Sequence, residues 1–332
     1  MLNVLNLDVE WLRECLMLED FKTFVILDKC IKIGFFDILE SPKAVEEISN
    51  SLNLNSRIVK AICEFFKSKG FLEEEGGRFM PSEISRTFFS RSSPFSLLDL
   101  FEMKEEEIEN WLNIDRALKG EILRKESEFF KKRIIYLAKL ALLKDLKIVF
   151  KISEYEEFRN AEKLLDLGGG HGLYAYAFTL LNGKLEATVF DLPEVVRTAR
   201  DFLKPFSPER VHFVDGNFFK DDLGSGYDLV FSSFNPGGKR AELIPKIHRA
   251  LKIGGIYVNR QYFPREFFTI EDLEWNLWGF EGLKKGFKAY TFEGDLSFEE
   301  YIDKLVENGF QILDLFGETY RVIVAKKLDQ NI

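Results

Sequence analysis

A glycine-rich stretch between residues 163 and 173 constrains the fold more than any other part of this sequence. It reads Lys-Leu-Leu-Asp-Leu-Gly-Gly-Gly-His-Gly-Leu, an apolar run that carries Asp166 and then passes through four glycines. The apolar run predicts a strand, and residues 173–181 predict a helix, so the glycines lie in the turn between them. A strand, a glycine turn and a helix together let the backbone close on a nucleotide-like ligand.

The glycine pattern leaves three interpretations open. The spacing Gly168-x-Gly170-x-Gly172 behind an acidic strand end is typical of S-adenosylmethionine (SAM) sites. The same stretch, read as Gly-x-Gly-x-x-Ala up to Ala175, also fits the dinucleotide fingerprint, and a turn without ligand is the third interpretation. The acid favours SAM, because a carboxylate attracts the cationic methionine end of SAM and repels a pyrophosphate. The predicted cofactor residues of this turn are Asp166, Gly168, Gly169 and Gly170.

Strands and helices alternate after residue 161, which predicts a parallel α/β sheet with further cofactor contacts at its strand ends. The second predicted strand ends in Asp191, about 20 residues beyond the glycines, where a carboxylate can accept both ribose hydroxyls of a nucleoside. The third leads into Asn217 and Phe218, an amide and a ring that can contact adenine, although Phe218 could equally pack in the core. The remaining predicted cofactor residues are Leu192, Ser232 and Ser233.

The fifth predicted strand, residues 256–262, is polar where a buried central strand is usually apolar. Its Arg260 could bind an anionic group of a substrate or form a structural ion pair. The aromatic-rich residues 271–292 predict a helix over a cleft for a flat or apolar acceptor, or else a hydrophobic interface. The predicted substrate-pocket residues are Arg260, Trp275, Asn276 and Trp278.

Residues 1–92 predict helices and then a small hairpin, which is the element order of a winged helix. The hairpin begins with three glutamates at 73–75, which DNA phosphates would repel, and the whole chain carries a net charge of −9. We therefore predict a dimerisation module rather than a nucleic-acid-binding one. Residues 93–160 predict a helical connector with one long helix over 121–151, and residues 161–332 the SAM-binding domain.

The remaining composition indicates a cytoplasmic protein. Its three cysteines (Cys15, Cys30 and Cys63) have neither metal-ligand nor disulfide spacing, which is typical of a reducing compartment. Acidic residues scattered through the first 30 positions argue against a signal peptide, and no apolar run reaches membrane-spanning length. We expect no metal and no membrane partner.

Together these motifs resemble the SAM-dependent O-methyltransferases of the caffeate and hydroxyindole type, over nearly the whole chain. The stretches that carry the resemblance are residues 33–39, 165–172, 189–196 (with its Phe-Asp-Leu-Pro), 215–219 and 251–255. The resemblance implies a Rossmann-like methyltransferase sheet that ends in a hairpin, SAM as methyl donor, and a homodimer formed through the N-terminal winged-helix domain. It also implies that His171, inside the glycine motif, is not catalytic.

Two departures from the family concern the site. The family's adenine-binding acid falls on Asn217, and its general base, a histidine followed by Asp-Trp after the fourth strand, has no counterpart in residues 233–239 (Ser-Phe-Asn-Pro-Gly-Gly-Lys). A phenol, with a pKa of about 10, needs such a base, whereas a thiol, with a pKa of about 8.5, needs less help. Candidate replacements for the base are Tyr262, Asp272 and Glu274.

We therefore predict methyl transfer to an O, S, N or C atom of a small, aromatic or apolar acceptor. Two alternatives stay open: a non-catalytic SAM- or ligand-binding regulator with a winged helix, and a methyltransferase that acts on a protein side chain.

Overall fold

The computed structural model describes residues 18–121, 123–124, 127–279, 284–318 and 320–329. The helical spacing noted from Leu5 to Leu16, Cys15 and Phe280 lie outside these residues. The chain divides into two compact units, Met1–Ile108 and Glu109–Ile332, while the three-part division made from the sequence remains a prediction. No helix of the described residues is both long enough and apolar enough to cross a membrane.

The first unit is helical and carries one hairpin, in the order expected from the sequence. Its elements are α1 (Glu19–Lys32), α2 (Val45–Leu52), α3 (Ser56–Ser68), β1 (Leu72–Glu75), β2 (Arg78–Pro81), α4 (Glu83–Phe88) and the first part of α5 (Leu98–Leu112). The Asn55 side chain caps α3 by accepting a hydrogen bond from the Ile58 N–H at 3.2 Å, as its position predicts. Four buried rings form its core: Phe35, Phe36, Phe66 and Phe89.

The predicted start of α2 at Ser41-Pro42 is wrong, because α2 begins at Val45. The reason is a pairing that local sequence does not show. The Lys43 backbone exchanges two hydrogen bonds with Phe79, of 3.0 and 2.8 Å, and this holds residue 43 in an extended conformation. The Glu47 carboxylate then caps the helix by accepting from the Ala44 N–H at 2.7 Å.

The second unit alternates helices with strands. Its elements are α6 (Asp115–Leu118), β3 (Leu123–Arg124), α7 (Ser127–Leu143), α8 (Ile148–Ser153), α9 (Glu156–Arg159), β4 (Lys163–Leu167), α10 (Leu173–Leu181), β5 (Glu186–Asp191), α11 (Pro193–Leu203), β6 (Val211–Asp215), β7 (Tyr227–Ser233), α12 (Ile244–Ala250), β8 (Leu251–Gln261), α13 (Ile270–Asn276), β9 (Trp278–Gly279), α14 (Phe298–Glu307), β10 (Phe310–Phe316) and β11 (Arg321–Lys327).

The single long helix predicted over 121–151 is wrong. Helix α7 ends at Leu143, and Lys144 leaves the helical conformation with φ −147° and ψ −52°. A short 3-10 turn, Asp145–Lys147, follows before α8. The turn places the Asp145 carboxylate against Arg260, 115 residues later, so a tertiary ion pair overrides the local helical preference.

Seven strands form the central sheet, in the order β10-β11-β8-β7-β4-β5-β6. Strands β4 to β8 run parallel, whereas β11 pairs antiparallel with both β8 and β10. From β4 the chain builds outward through β5 and β6 on one side and through β7 and β8 on the other. Such a reversal opens a crevice at the carboxyl edge of a parallel sheet, where ligands bind. The predicted α/β class, with a Rossmann-like sheet, a closing hairpin and an N-terminal helical region, is confirmed.

Apolar side chains cover both faces of this sheet. Phe178 of α10 packs with Phe158 and Phe231 in one core cluster, while Tyr257 and Tyr301 lie in the other, their hydroxyls 3.0 Å apart. The polar residues at the end of β8 are also buried: Asn259, Arg260 and Gln261 are 1%, 5% and 3% exposed. Buried polar groups require partners, and those of β8 lead directly to the crevice.

Candidate active site at the carboxyl edge of the sheet

The turn between β4 and α10 is shaped so that only glycine fits at two of its positions. Gly168 has φ +65°, and a Cβ there would lie 2.7 Å from the Asn235 Cβ. A Cβ on Gly169 would lie 2.7 Å from the Asp166 Cγ. The main chain is therefore packed directly against two polar side chains, as a backbone cradle for a ligand requires.

Asp166, one residue before the end of β4, is 1% exposed, and its Oδ2 has no hydrogen-bond partner in the described part of the chain. Burial raises the pKa of this carboxyl to about 7, and the negative charge of Asp191 acts in the same direction. A buried, unpartnered carboxylate oxygen beside a glycine turn fits a ligand that brings an ammonium group, as the methionine end of SAM would.

Asp191 ends the neighbouring strand β5 and faces the same turn. Its Oδ2 accepts a hydrogen bond from the Gly170 N–H at 2.9 Å, and its Oδ1 accepts from the Leu192 N–H at 2.7 Å. Burial raises the pKa of Asp191, although these two hydrogen bonds oppose the rise. The structure thus brings together the two acids that the sequence assigned to the cofactor, and SAM fits this donor and acceptor set at both its amino-acid and its ribose end.

Asn217 and Phe218 follow β6 at the same edge. The Asn217 Oδ1 accepts from the Phe219 N–H at 2.9 Å, so the side chain first shapes its own turn. Phe218 is half-buried against the second core cluster, and a Cβ on Gly237 would lie 2.9 Å from its ring. The structure therefore shows the core packing of Phe218 that the sequence left as an alternative, and its contact with adenine remains a prediction.

The loop after β7 is tied to the glycine turn by Asn235, which the sequence reasoning missed. The Asn235 Nδ2 donates to the Leu167 carbonyl and to the Ser232 Oγ, each at 2.7 Å, and so joins the ends of β4 and β7. Its Oδ1 accepts from the Gly237 N–H at 3.0 Å. The signal for this role was the sequence Asn-Pro-Gly-Gly, which is typical of a tight turn.

Arg260, at the end of β8, occupies a complete set of partners. Its guanidinium donates to the Tyr174 hydroxyl at 2.9 Å and to the Asp145 carboxylate at 2.5 Å. It also stacks on Phe234, 4.5 Å from the ring centre, and lies 5.1 Å from that of Tyr320. The ion-pair alternative for Arg260 is thus the one the structure shows. Phe234, 42% exposed at φ +53°, is held over the arginine.

An aromatic cluster lies beside Arg260. Trp275 is 3% exposed and donates from its Nε1 to the Gly286 carbonyl at 3.0 Å, with Tyr290 and Phe292 packed on its ring at 5.4 and 5.5 Å. Tyr262 stacks on Tyr290 from the other side, at 5.4 Å. Ser233 pairs in register with the arginine strand, and Trp278 lies in the short strand β9.

The aromatic helix predicted over 271–292 is wrong beyond its first turns, because α13 ends at Asn276. The Asn276 Nδ2 donates to the Asp272 carbonyl at 2.7 Å and to the Phe287 carbonyl at 2.8 Å. This amide fastens a returning loop onto the helix end, so the aromatic residues reach the cluster from a loop rather than from one helical face.

None of the proposed replacement bases is poised as a free base. Hydrogen bonds from the backbones of Ala289 (2.7 Å) and Thr269 (2.9 Å) engage the buried Asp272 carboxylate and lower its pKa, although burial alone would raise it. Burial raises the pKa of Tyr262, which keeps its hydroxyl protonated at neutral pH. Glu274 is half-buried on α13.

The three histidines lie elsewhere. Burial lowers the pKa of His171 to about 4, and its neutral Nδ1 accepts from the Leu173 N–H at 3.1 Å. His212 contacts Glu186 at 2.6 Å on the β6 side of the sheet, and His248 packs on Phe310. No histidine therefore occupies the loop after β7.

Comparison with known proteins gives three findings. Residues 123–258 match the family model of the O-methyltransferase domain. An uncharacterised protein of Methanocaldococcus jannaschii is 36% identical over 306 residues, which cover 89% of this chain and 82% of that protein. The N,N-dimethyltransferase OxyT of Streptomyces rimosus is 23% identical over 305 residues, 86% of either chain.

One solved structure shows the same fold over the whole chain. The crystal structure of human N-acetylserotonin methyltransferase in complex with SAM aligns with a TM-score of 0.66 at 19% identity, covering 98% of this chain and 99% of that one.

Proposed function

This chain belongs to the family of SAM-dependent O-methyltransferases, and from that premise we propose that it methylates a small, aromatic or apolar acceptor at the carboxyl edge of its sheet. The observation that carries the proposal is the pair of strand-end acids around the glycine turn. Asp166 offers an unpartnered buried oxygen, and Asp191 holds the Gly170 N–H at 2.9 Å. The aromatic cluster around Tyr262 and Trp275, beside this cradle, supplies a flat apolar wall.

The chain's own residues bind and orient the reactants. Asp166 and Asp191 would hold the amino-acid and ribose ends of SAM, and the Asn235 bridge keeps the loop after β7 against them. When bound, SAM supplies an electrophilic methyl group and leaves as S-adenosylhomocysteine, while the acceptor gives up a proton. Holding the acceptor in line, rather than removing its proton, is the contribution that this geometry supports.

The absence of a free base in the loop after β7 bears on the acceptor atom. An amine, a thiol or a carboxylate presents a nucleophilic lone pair near neutral pH with less help than a phenol needs. The family model is named for oxygen acceptors and one relative for a nitrogen acceptor, which supports a choice among these atoms. We propose an acceptor whose reacting atom does not depend on a protein base.

The experiment is a calorimetric titration of the protein with SAM, S-adenosylhomocysteine and NAD, repeated in Asp191→Asn. The substitution keeps the shape of the side chain but removes one acceptor and the charge, so we expect adenosyl affinity to fall at least about tenfold. Asp201→Asn is the matched control, because Asp201 lies exposed on α11 and pairs only with Lys204 in the described residues.

A panel of amines, thiols, carboxylates and phenols, tested with methyl-labelled SAM, then assigns the acceptor atom. A preference for NAD, or equal SAM affinity in Asp191→Asn and the wild type, would contradict the proposed site. Methylation of phenols alone, with a rate that follows the ionisation of a protein group, would contradict the proposal that no protein base is used.

A further inference from the structure

A cavity of about 720 Å3 opens in the second unit, between the loop after β7, the segment after β8 and the start of β11. Its apolar wall is aromatic and consists of Phe263, Phe292 and Phe298. The volume is that of a typical small-molecule site. Two charged features, described next, distinguish it from a surface dent.

The first feature is a buried ion pair. The Lys239 Nζ lies 2.9 Å from the Asp295 Oδ2, and both side chains are only 6% exposed. The ammonium also donates to the Tyr290 carbonyl at 2.5 Å, and the Phe292 N–H donates to the same Oδ2 at 3.0 Å. The other carboxylate oxygen, Oδ1, is buried and has no partner among the described residues. Such an oxygen needs a hydrogen-bond donor, which a ligand in the cavity can bring.

The second feature is Arg321, at the first position of β11 and in register with Gln261 of β8. Its guanidinium stacks on Phe298, 4.1 Å from the ring centre. In the described residues it forms no ion pair within 4.0 Å, and its buried Nε has no hydrogen-bond partner. A stacked, half-buried arginine with an unfilled donor fits a carboxylate or a similar planar anion.

We propose that this cavity binds the polar portion of the methyl acceptor, and that the acceptor is an aromatic acid whose carboxylate meets Arg321 and whose hydroxyl or amino group donates to Asp295. The inference rests on the proposed function and narrows its substrate class from aromatic or apolar to aromatic and anionic.

The position of the cavity supports its link to the cofactor cradle. Lys239 belongs to the same loop as Asn235, which is bonded to the Leu167 carbonyl beside the glycine turn. Phe263 lies two residues beyond the end of β8. The cavity thus adjoins the ends of the two strands that border the crevice, where an acceptor has to lie.

The test uses three phenolic acids that differ in reach, 4-hydroxybenzoate, 4-hydroxyphenylacetate and 4-hydroxycinnamate, each paired with its carboxamide. Binding to the full-length protein, first saturated with S-adenosylhomocysteine, is measured by calorimetry. We expect at least one acid to bind about tenfold more tightly than its amide, because a hydrogen bond to a charged group is stronger than one to a neutral group. In Arg321→Gln that preference should fall below about twofold, while Arg249→Gln, which removes the same charge from the exposed side of α12, should keep it.

The hydroxyl contact is tested by comparing each phenolic acid with its analogue that lacks the hydroxyl. The double variant Lys239→Met/Asp295→Leu removes the ion pair without leaving a lone buried charge, and the preference for the hydroxylated acid should disappear in it. Thermal melting checks that both variants fold.

The outcomes separate the two proposals. If S-adenosylhomocysteine does not bind in the first step, the proposed function fails, and this inference with it. If it binds but no acid is preferred over its amide, or the preference survives Arg321→Gln, the cavity does not select an anionic acceptor and only this inference is overturned.

Discussion

At the scale of single residues, two carboxylates at neighbouring strand ends differ because their surroundings differ. Asp191 spends both oxygens on backbone N–H groups, whereas Asp166 keeps Oδ2 unpartnered and has a pKa raised to about 7, mainly by burial. A cationic ligand favours the ionised form of Asp166, so binding should release a proton from it. We therefore expect SAM affinity to rise between about pH 6 and pH 8.

Calorimetry in buffers of different ionisation enthalpy measures that proton release directly. Asp166→Asn, which cannot titrate, should lose the release and flatten the pH dependence. Affinity that falls over the same pH interval in the wild type would contradict the role given to Asp166.

Gly168 provides a second prediction at this scale. In Gly168→Ala the added Cβ meets Asn235 at 2.7 Å in a backbone with φ +65°. We expect the free energy of unfolding to fall by about 1–3 kcal/mol and SAM binding to be lost, because the turn and the Asn235 bridge move together. Gly183→Ala is the control, since no atom lies within 4 Å of its added Cβ. Equal unfolding midpoints of the two variants in urea would contradict this account.

The residues that sequence could identify are those whose chemistry is written locally. Asp166 and Asp191 stand next to a glycine motif and a strand end. The partners of Arg260 could not be foreseen, because Tyr174 lies 86 positions away in the chain and Asp145 lies 115 positions away. Only the fold brings these groups together, which is why the sequence left the role of Arg260 open.

At the scale of elements, the strands of the sheet were predicted within one or a few residues because their apolar runs and turns are local signals. Two helices were predicted too long, over 121–151 and 271–292. The first is interrupted where Asp145 reaches Arg260, and the second where Asn276 binds a returning loop. In both cases one long-range polar contact outweighs a few tenths of a kcal/mol of helix propensity per residue.

Helix α14 is closed at its start by a reciprocal cap. The Ser297 Oγ accepts from the Glu300 N–H at 3.2 Å, and the Glu300 carboxylate accepts from the Ser297 N–H at 2.8 Å. Ser297→Ala should lower the free energy of unfolding by about 1 kcal/mol, measured in urea. Ser297→Asp retains an acceptor and should stay near the wild type; a loss as large as that of alanine would show that the cap is not the cause.

At the scale of the whole molecule, we propose that the protein is a homodimer formed through its first unit. Helix α1 and its flanks leave Leu18, Phe21, Val25 and Ile33 between 38% and 51% exposed, more apolar surface than one helix usually shows to water. Sedimentation should therefore give twice the mass of one chain.

The variant Phe21→Glu/Val25→Glu should shift that equilibrium to the monomer while SAM still binds, because the cofactor cradle lies wholly in the second unit. Ile253→Glu places the same charge on an exposed position of the second unit and should leave the dimer intact. A wild-type protein that sediments as a monomer at micromolar concentration would refute the proposal.

Strand β11 has a consequence for how the protein is made. It is synthesised after every other strand of the sheet, yet it lies between β8 and β10 and pairs with both. At about 5–20 residues per second, a growing chain exposes the edge of β8 for several seconds before its partner emerges from the ribosome. The Arg321 side of the proposed acceptor cavity is completed only then, so a ribosome that stalls before residue 321 would leave a cofactor cradle without an acceptor wall and an open strand edge for chaperones to cover.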